Sequence, residues 1–410
     1  MGTPDGPSPA VGTPDGPGLV RCFEVDRRDL GITRLLAAGS RPPRDGEVLF
    51  EVERFGLSAN NVTYAVLGDA LRYWDVFPAE PGWGRIPAWG YLRVRASRVP
   101  GIEAGRRAFG LCPMATEVML RPGRAGRATF AEGSAHRAGL ASAYNVYAWA
   151  DTGPRTPATA DDLLVVLRPV FWLSFTLDDA LSRPDQAADS VIVTSASSKA
   201  AIGLAHLLAR RGVPVLGLTS PGHLPFVAGL GLYDRVVPYD QAGAVPAAGA
   251  VLVDIAGNSA LRDRIGGRPG SPARTIVAGR AHAGADGAGG PQTVTFFVPD
   301  VIRALAREWS WPDLEQRFQA ALAGFAREAA SWLTVVRHPG IDAVAGLYRS
   351  MLSGAAGSPT EAHVIVSGPD GRLGTPCANS CFSARAGSNG RRRPNRRSAA
   401  RWRRSSSRSP

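Results

Sequence analysis

Lysine is nearly missing from this 410-residue chain: of its 47 lysines and arginines, only Lys199 is a lysine. Cysteine is scarce too. Cys22, Cys112, Cys377 and Cys381 form no Cys-x-x-Cys pair, which excludes a zinc lobe and a disulfide framework. No apolar run approaches the ~18 residues a membrane span needs. The start, Met1-Gly-Thr-Pro-Asp-Gly6, has no charged n-region and no apolar h-region, so it does not read as a signal peptide, and Gly6 breaks the myristoylation pattern. The expected location is therefore the cytoplasm. There is no Gly-x-Ser-x-Gly elbow, and the body has no stripe of interleaved basic and aromatic residues, so the core is not expected to bind nucleic acid. The net charge of +12 misleads, because residues 371–410 hold eleven arginines and no acid, leaving +1 on residues 1–370.

What is present divides the chain. Gly2-Thr-Pro-Asp-Gly-Pro7 recurs as Gly12 to Pro17, too polar to pack, so residues 1–18 read as disordered. From about Leu19 to Trp149 short apolar and alternating runs, such as Glu47 to Glu53 and Tyr91 to Ala96, predict a compact β-rich domain. Asp151 to Ala160 reads as a Thr/Pro/Ala linker. Beyond it strands alternate with helices: Val191–Ser195, a helix over Lys199–Arg211 stopped by Gly212, Val213–Thr219, a short helix over Pro221–Leu230, Arg235–Tyr239, Val251–Ile255 and Arg274–Ala278. Continuous apolar strands in this order predict a parallel sheet covered on both faces. Helices are expected over Glu308–Val336 and Ile341–Ser353, and a closing strand over Ala362–Ser367. The fold class is α/β: a β-rich domain over 19–150, completed by about 300–370, a Rossmann-type doubly wound parallel-sheet domain over 160–299, and a disordered Arg/Ser tail over 371–410.

Lys199 falls where the first strand turns into its helix, in Thr194-Ser-Ala-Ser-Ser-Lys199. Such a turn is the usual place for a phosphate-bearing cofactor. Of the dinucleotide Gly-x-Gly-x-x-Gly pattern only Gly203 remains, at the position where helix packs on strand. Ser195, Ser197 and Ser198 offer hydroxyls in place of the lost glycines, and Lys199 offers a charge. The plainer alternative is a helix capped by Ser198 with an exposed lysine. A Walker loop is excluded because Ser198 precedes the lysine, and a Ser-x-x-Lys pair because Ala196 stands where its serine would be. A Ser197-x-Lys199 dyad stays open. The second strand ends Leu218-Thr-Ser-Pro-Gly-His223 with no acid for ribose hydroxyls, so Thr219, Ser220 and His223 favour the 2′-phosphate of NADP, against an ordinary Ser-Pro-Gly turn.

In the first domain Asn60-Asn-Val-Thr-Tyr64 and Tyr73-Trp-Asp-Val-Phe-Pro78 bring amides and phenols close in sequence. Asn61, Tyr64 and Tyr73 are the candidate catalytic set, since a phenol serves as acid without a metal; the alternative is a turn and a small aromatic core. His136, His206, His282, His338 and His363 show no ligand spacing and are given no role, and no metal site is expected.

These stretches, with Trp89-Gly90, Arg107-Ala-Phe-Gly-Leu-Cys-Pro-Met114 and Arg168-Pro-Val-Phe-Trp-Leu-Ser-Phe175, together resemble an uncharacterised family of unknown function. That family is distantly similar to the zinc-free, quinone-oxidoreductase-like medium-chain dehydrogenase/reductases. The resemblance implies a GroES-like β-rich domain beside a Rossmann domain, with substrate and nicotinamide between them. It implies Asn61, Tyr64 and Tyr73 near the nicotinamide and Tyr239 near the adenosine. Gly56-Leu-Ser58 stands where zinc alcohol dehydrogenases have Gly-x-Cys, which removes the catalytic-zinc cysteine. The expected function is an NADP(H)-dependent, zinc-independent oxidoreductase acting on a carbonyl or conjugated double bond of a small-molecule substrate. The alternative is a non-catalytic nucleotide- or phospho-ligand-binding protein on the same fold. By analogy of architecture, a homodimer is the expected assembly.

Overall fold

The computed structural model describes residues 19–150, 158–183, 188–255, 257–266, 270–278, 293–354 and 358–367. The Pro/Gly repeat, residues 151–157 of the linker and the Arg/Ser tail lie outside the described residues.

The strand Val48–Leu57 organises the β-rich part. Nine of its ten residues are buried, as expected for a strand covered on both faces. One edge pairs antiparallel with Pro87–Ser97 along its length. The other edge is shared: Glu117–Leu120 takes residues 48–51, and Glu361–Val366, from the far end of the chain, takes residues 54–57. Thr334–Pro339 continues the sheet parallel to Glu361–Val366. Phe50, Phe130 and Tyr147 stack in its core at 5.9 and 4.8 Å, and the buried Arg137 donates to the Val76 carbonyl and the Tyr147 hydroxyl.

The second sheet is wholly parallel, in the order Arg235–Pro238, Val215–Thr219, Val191–Val193, Val251–Asp254, Arg274–Val277, Thr293–Thr295. This is the doubly wound order 3-2-1-4-5-6 of a Rossmann domain, and it reverses at Val191–Val193, so a crevice opens at the carboxyl end of that strand. Five of these strands coincide with apolar runs read from sequence. Thr293–Thr295, all exposed, carried no such signal.

The helix Ala158–Ser182 lies between the nine-stranded and the six-stranded sheets; it begins inside the stretch read as a linker to Ala160 and contains Pro169. Pro169 has no N–H for the carbonyl of Val165. That carbonyl lies against strand Val48–Leu57, where a Cβ on Gly56 would stand 2.6 Å from it. On the helix's opposite partner a Cβ on Gly203 would meet Ser174 Oγ at 2.7 Å and Phe171 at 3.0 Å. Gly203 therefore permits helix-on-helix contact, not the expected helix-on-strand contact. The first turn of this helix carries Asp161, as its dipole favours, and Asp162 follows it; both carboxylates are buried. Asp162 binds Arg54 at 2.7 Å and Arg337 at 2.5 Å, and Asp161 binds Arg107 at 3.0 Å.

The single helix expected over Glu308–Val336 is three elements: helices Val298–Trp309 and Trp311–Ala329, then the strand Thr334–Pro339. Ser310, at φ 67°, breaks the helices and caps the second one, which has Pro312 in its first turn. The β-branched run Thr334-Val-Val336 turns the remainder into a strand.

Candidate active site

A cleft of about 1660 Å³ runs between the two sheets. Along one wall the strand Val191–Val193 leaves its sheet through Thr194 and Ser195. The Thr194 hydroxyl donates to Asp254 at 2.8 Å and accepts the Ile255 N–H at 3.0 Å, which joins the carboxyl ends of adjacent strands. Ser195 then takes a left-handed conformation, φ 51°, at a position where glycine is ordinarily used. Two tyrosines brace the turn: Tyr239 Oη accepts the Ser195 N–H at 3.1 Å, and Tyr233 Oη donates to the Ala196 carbonyl at 2.8 Å. Ser198 caps the helix Lys199–Arg210 by accepting from the Ala201 N–H at 3.2 Å. In such a first turn the Lys199 and Ala200 N–H groups have no intrahelical partner, and both residues line the cleft.

The second strand adds its end to the same wall. Ser197 Oγ and His223 Nδ1 are 3.1 Å apart, either one donating, and Ser220 and Tyr239 line the cleft beside them. Thr219 is buried under this wall, and its Oγ1 has no hydrogen-bond partner among the described residues. Gly203 and Thr219 are not among the lining residues, whereas Ser195, Ser197, Ser198, Lys199, Ser220, His223 and Tyr239 are.

Lys199 points sideways from the helix start. Its Nζ donates to the Pro359 carbonyl at 3.5 Å, just before the strand Glu361–Val366. Burial lowers its pKa to about 8, against the opposing pull of the Glu361 carboxylate. His363 on that strand also lines the cleft, and its Nδ1 lies 3.2 Å from His338 Nε2. The parallel pairing of Thr334–Pro339 with Glu361–Val366 brings these two histidines together, which spacing in the sequence did not signal.

The facing wall is aromatic. Tyr64 Oη accepts the Trp89 Nε1–H at 3.1 Å, the Tyr64 and Tyr73 rings lie 4.5 Å apart, and the Tyr73 and Tyr144 hydroxyls are 2.9 Å apart. Burial pushes all three phenols up. For Tyr64 the nearby Trp89 and Asn60 side chains oppose that rise, and for Tyr73 the bond to Tyr144 does. Asn61 does not hold Tyr64. Its Oδ1 accepts the Ser58 N–H at 2.8 Å and its Nδ2 donates to the Pro87 carbonyl at 3.0 Å, so it fixes the start of the helix Ala59–Val66 that carries the phenol. Tyr144 gave no signal in the sequence: it sits in an isolated turn far along the chain from Tyr73. Arg168, first residue of the Arg168–Phe175 motif, lines the cleft and pairs with Glu315 at 2.6 Å.

A β-rich domain and a Rossmann domain facing each other across a cleft have the fold of the medium-chain reductases. Solved structures bear this out at the level of fold. CurA from Vibrio vulnificus, solved in complex with NADPH, superposes with a TM-score of 0.56 at 12% identity, over 85% of this chain and 99% of that one. A putative NADPH:quinone reductase from Mesorhizobium loti gives 0.57 at 12% identity, over 86% and 100%. The CurK enoyl reductase gives 0.52 at 12%, over 85% and 99%. The chain belongs to the family described as "Protein of unknown function (DUF2855)", which matches residues 55–357. No curated protein matches it in sequence.

Proposed function

We propose that this protein is an NADP(H)-dependent, zinc-independent oxidoreductase that reduces a carbonyl or a conjugated double bond, of the quinone or enone type. The observation that carries this reading is that the Ser195–Lys199 turn and the Tyr64–Tyr73 pair line one cleft. The residues present fit a dinucleotide. The first-turn N–H groups of Lys199 and Ala200, with Ser195, Ser197 and Ser198, are donors for a diphosphate at a helix N-terminus. Lys199 adds charge from the side. Ser220 and His223, which line the cleft, suit a 2′-phosphate, and among the described residues no carboxylate lines this end to repel one; Thr219, buried beneath them, does not reach the cleft. Tyr239 sits at the adenosine end and holds the Ser195 turn.

When bound, the reduced nicotinamide supplies a hydride to an electron-poor carbon; the protein supplies orientation and electrostatics. Tyr64, kept protonated by burial, polarises the substrate oxygen or gives it a proton. Tyr73 and Tyr144 form a hydroxyl pair from which that proton is replaced. Asn61 sets the helix that presents Tyr64. Ser58, in the place of the zinc cysteine, begins that helix, so the acid role falls to the phenol. Similarity to proteins solved with NADPH, or described as NADPH:quinone reductase, supports the choice of cofactor.

The test is to titrate NADPH and NADH against the melting temperature, then scan quinones and enones for cofactor oxidation. A rise with NADPH, and turnover lost in Tyr64→Phe, are expected. No rise with either nucleotide sinks the reading. The second reading, a nucleotide-binding protein without turnover, is favoured by the Lys199 contact with Pro359 and by the loss of the glycines; it predicts stabilisation by NADPH and no acceptor.

We place the protein in the cytoplasm; no helix among the described residues is long and apolar enough to cross a membrane. A homodimer joined through the exposed sheet edge Thr293–Thr295 is the proposed assembly, since an open edge strand templates pairing.

A further inference from the structure

Lys199 carries the only side-chain amine in the chain. Its side chain lines the cleft where the segment Ser358–His363 crosses the start of the helix Lys199–Arg210. The Glu361 carboxylate is close enough to favour its charged form, and the amine in turn disfavours protonation of His363. His363 Nε2 lies 3.6 Å from Glu361, and its Nδ1 lies 3.2 Å from His338. Ser358, Pro359, Glu361 and His363 all line the cleft around the amine. A partly desolvated primary amine thus stands beside an imidazole and a carboxylate, at the wall of a cavity large enough for an organic molecule. These are the parts that imine formation needs: a nucleophile, and groups that move protons on and off the oxygen that leaves.

We propose that Lys199 is a covalent carbonyl-binding site, at which an aldehyde or ketone admitted to the cleft condenses to an imine. The Nζ lone pair forms the new bond to the carbonyl carbon. The carbonyl oxygen leaves as water, taking with it both hydrogens of the neutral amine. Glu361 and His363 carry those protons through the intermediate amino alcohol. No oxidant or reductant enters the step. Burial supplies the neutral amine near physiological pH, since it brings the pKa to about 8. The site does not depend on nucleotide binding, and its chemistry is read without cofactor.

The scarcity of lysine makes the test clean. The full chain is incubated with benzaldehyde and cyanoborohydride, without nucleotide, and the adduct is read by intact mass and peptide mapping. A reduced adduct on the Lys199 peptide is expected, distinct from any on the α-amino group. It should form about tenfold or more faster than on the urea-unfolded chain, because lowering an amine's pKa from the ordinary lysine value to about 8 raises its neutral fraction near neutral pH on the order of a hundredfold. Lys199→Arg should lose it. His363→Gln, with unchanged melting temperature, should slow it several-fold. Labelling confined to the α-amino group, or labelling of Lys199 no faster than in the unfolded chain, overturns the proposal. Because nucleotide is absent throughout, failure here leaves the NADPH reading to stand or fall on its own titration.

Discussion

The hydroxyl of Tyr239 accepts the backbone N–H of Ser195, one of three non-glycine residues with positive φ among those described. A residue in this conformation persists only where its surroundings hold it. Removing the acceptor leaves a partly buried N–H unpaired at a strained turn. Tyr239→Phe should lower the free energy of unfolding by about 1–3 kcal/mol, the cost of such an unsatisfied group, and weaken nucleotide binding. Ser195→Gly should not lower it, since glycine adopts the turn freely. Urea unfolding of both variants checks the pair. Equal losses would mean that the serine side chain, not the turn, is what matters.

The phenols should separate kinetically. If Tyr64 is the proton donor, Tyr64→Phe should cut kcat by about a hundredfold or more, the usual scale for a lost general acid, while the Kd for NADPH stays unchanged. Tyr144→Phe acts through Tyr73 and should cost less. Steady-state kinetics and nucleotide titration of both variants settle the order. A larger loss from Tyr144 would move the acid role away from Tyr64.

Much of the Rossmann half was legible, because buried parallel strands write continuous apolar runs: Val191–Val193 and Val251–Asp254 stand almost as read. The helix Ala158–Ser182 was not legible, since Pro169 interrupts its apolar run and its first residues share the Thr/Pro/Ala composition of the linker. In the site, local turns such as Ser195–Lys199 could be read from neighbours in sequence. The pairings Tyr73–Tyr144, Trp89–Tyr64 and His338–His363 could not, because tertiary packing alone creates them. Asn61 stood out through its proximity to Tyr64, and only geometry showed its amide committed to Ser58 and Pro87.

The start of the bridging helix depends on one carboxylate. Asp162 is fully buried between Arg54 and Arg337. Asp162→Ala removes the buried carboxylate that Arg54 and Arg337 share and should cost about 3–5 kcal/mol, as for other broken buried pairs. Thermal unfolding reads this directly, and a loss under about 1 kcal/mol would mean that water replaces the carboxylate.

The two glycines flanking that helix should differ in tolerance. A Cβ at Gly56 meets the backbone carbonyl of Val165 at 2.6 Å, and a main chain cannot turn aside. A Cβ at Gly203 meets mostly side chains, Ser174 and Phe171, which have some freedom. Gly203→Ala should cost about 1–3 kcal/mol, the usual scale of overpacking, and Gly56→Ala more. Denaturant midpoints of the two variants give the comparison; the reverse order would place the tighter contact inside the Rossmann domain.

Lys199 gives a pH-dependent signature with a definite sign. Its folded pKa, about 8, lies below the ordinary value of 10.5 because burial disfavours the charge. Below pH 8 both folded and unfolded chains carry the proton, and the folded one bears the full cost of a buried ammonium. Between pH 8 and 10.5 the unfolded chain binds more protons than the folded one, so stability attributable to this residue rises with pH. Lys199→Met keeps the length and removes the charge. It should therefore be more stable than the parent by roughly 1–3 kcal/mol at neutral pH, since each tenfold change in proton affinity is worth about 1.4 kcal/mol. The advantage should shrink toward zero by pH 10.5, where the unfolded lysine also loses its proton. The buried tyrosines titrate in both proteins and cancel in the difference. A gap that stays constant across that range would mean that Glu361 keeps the ammonium charged throughout, and it would remove the neutral amine on which imine formation depends.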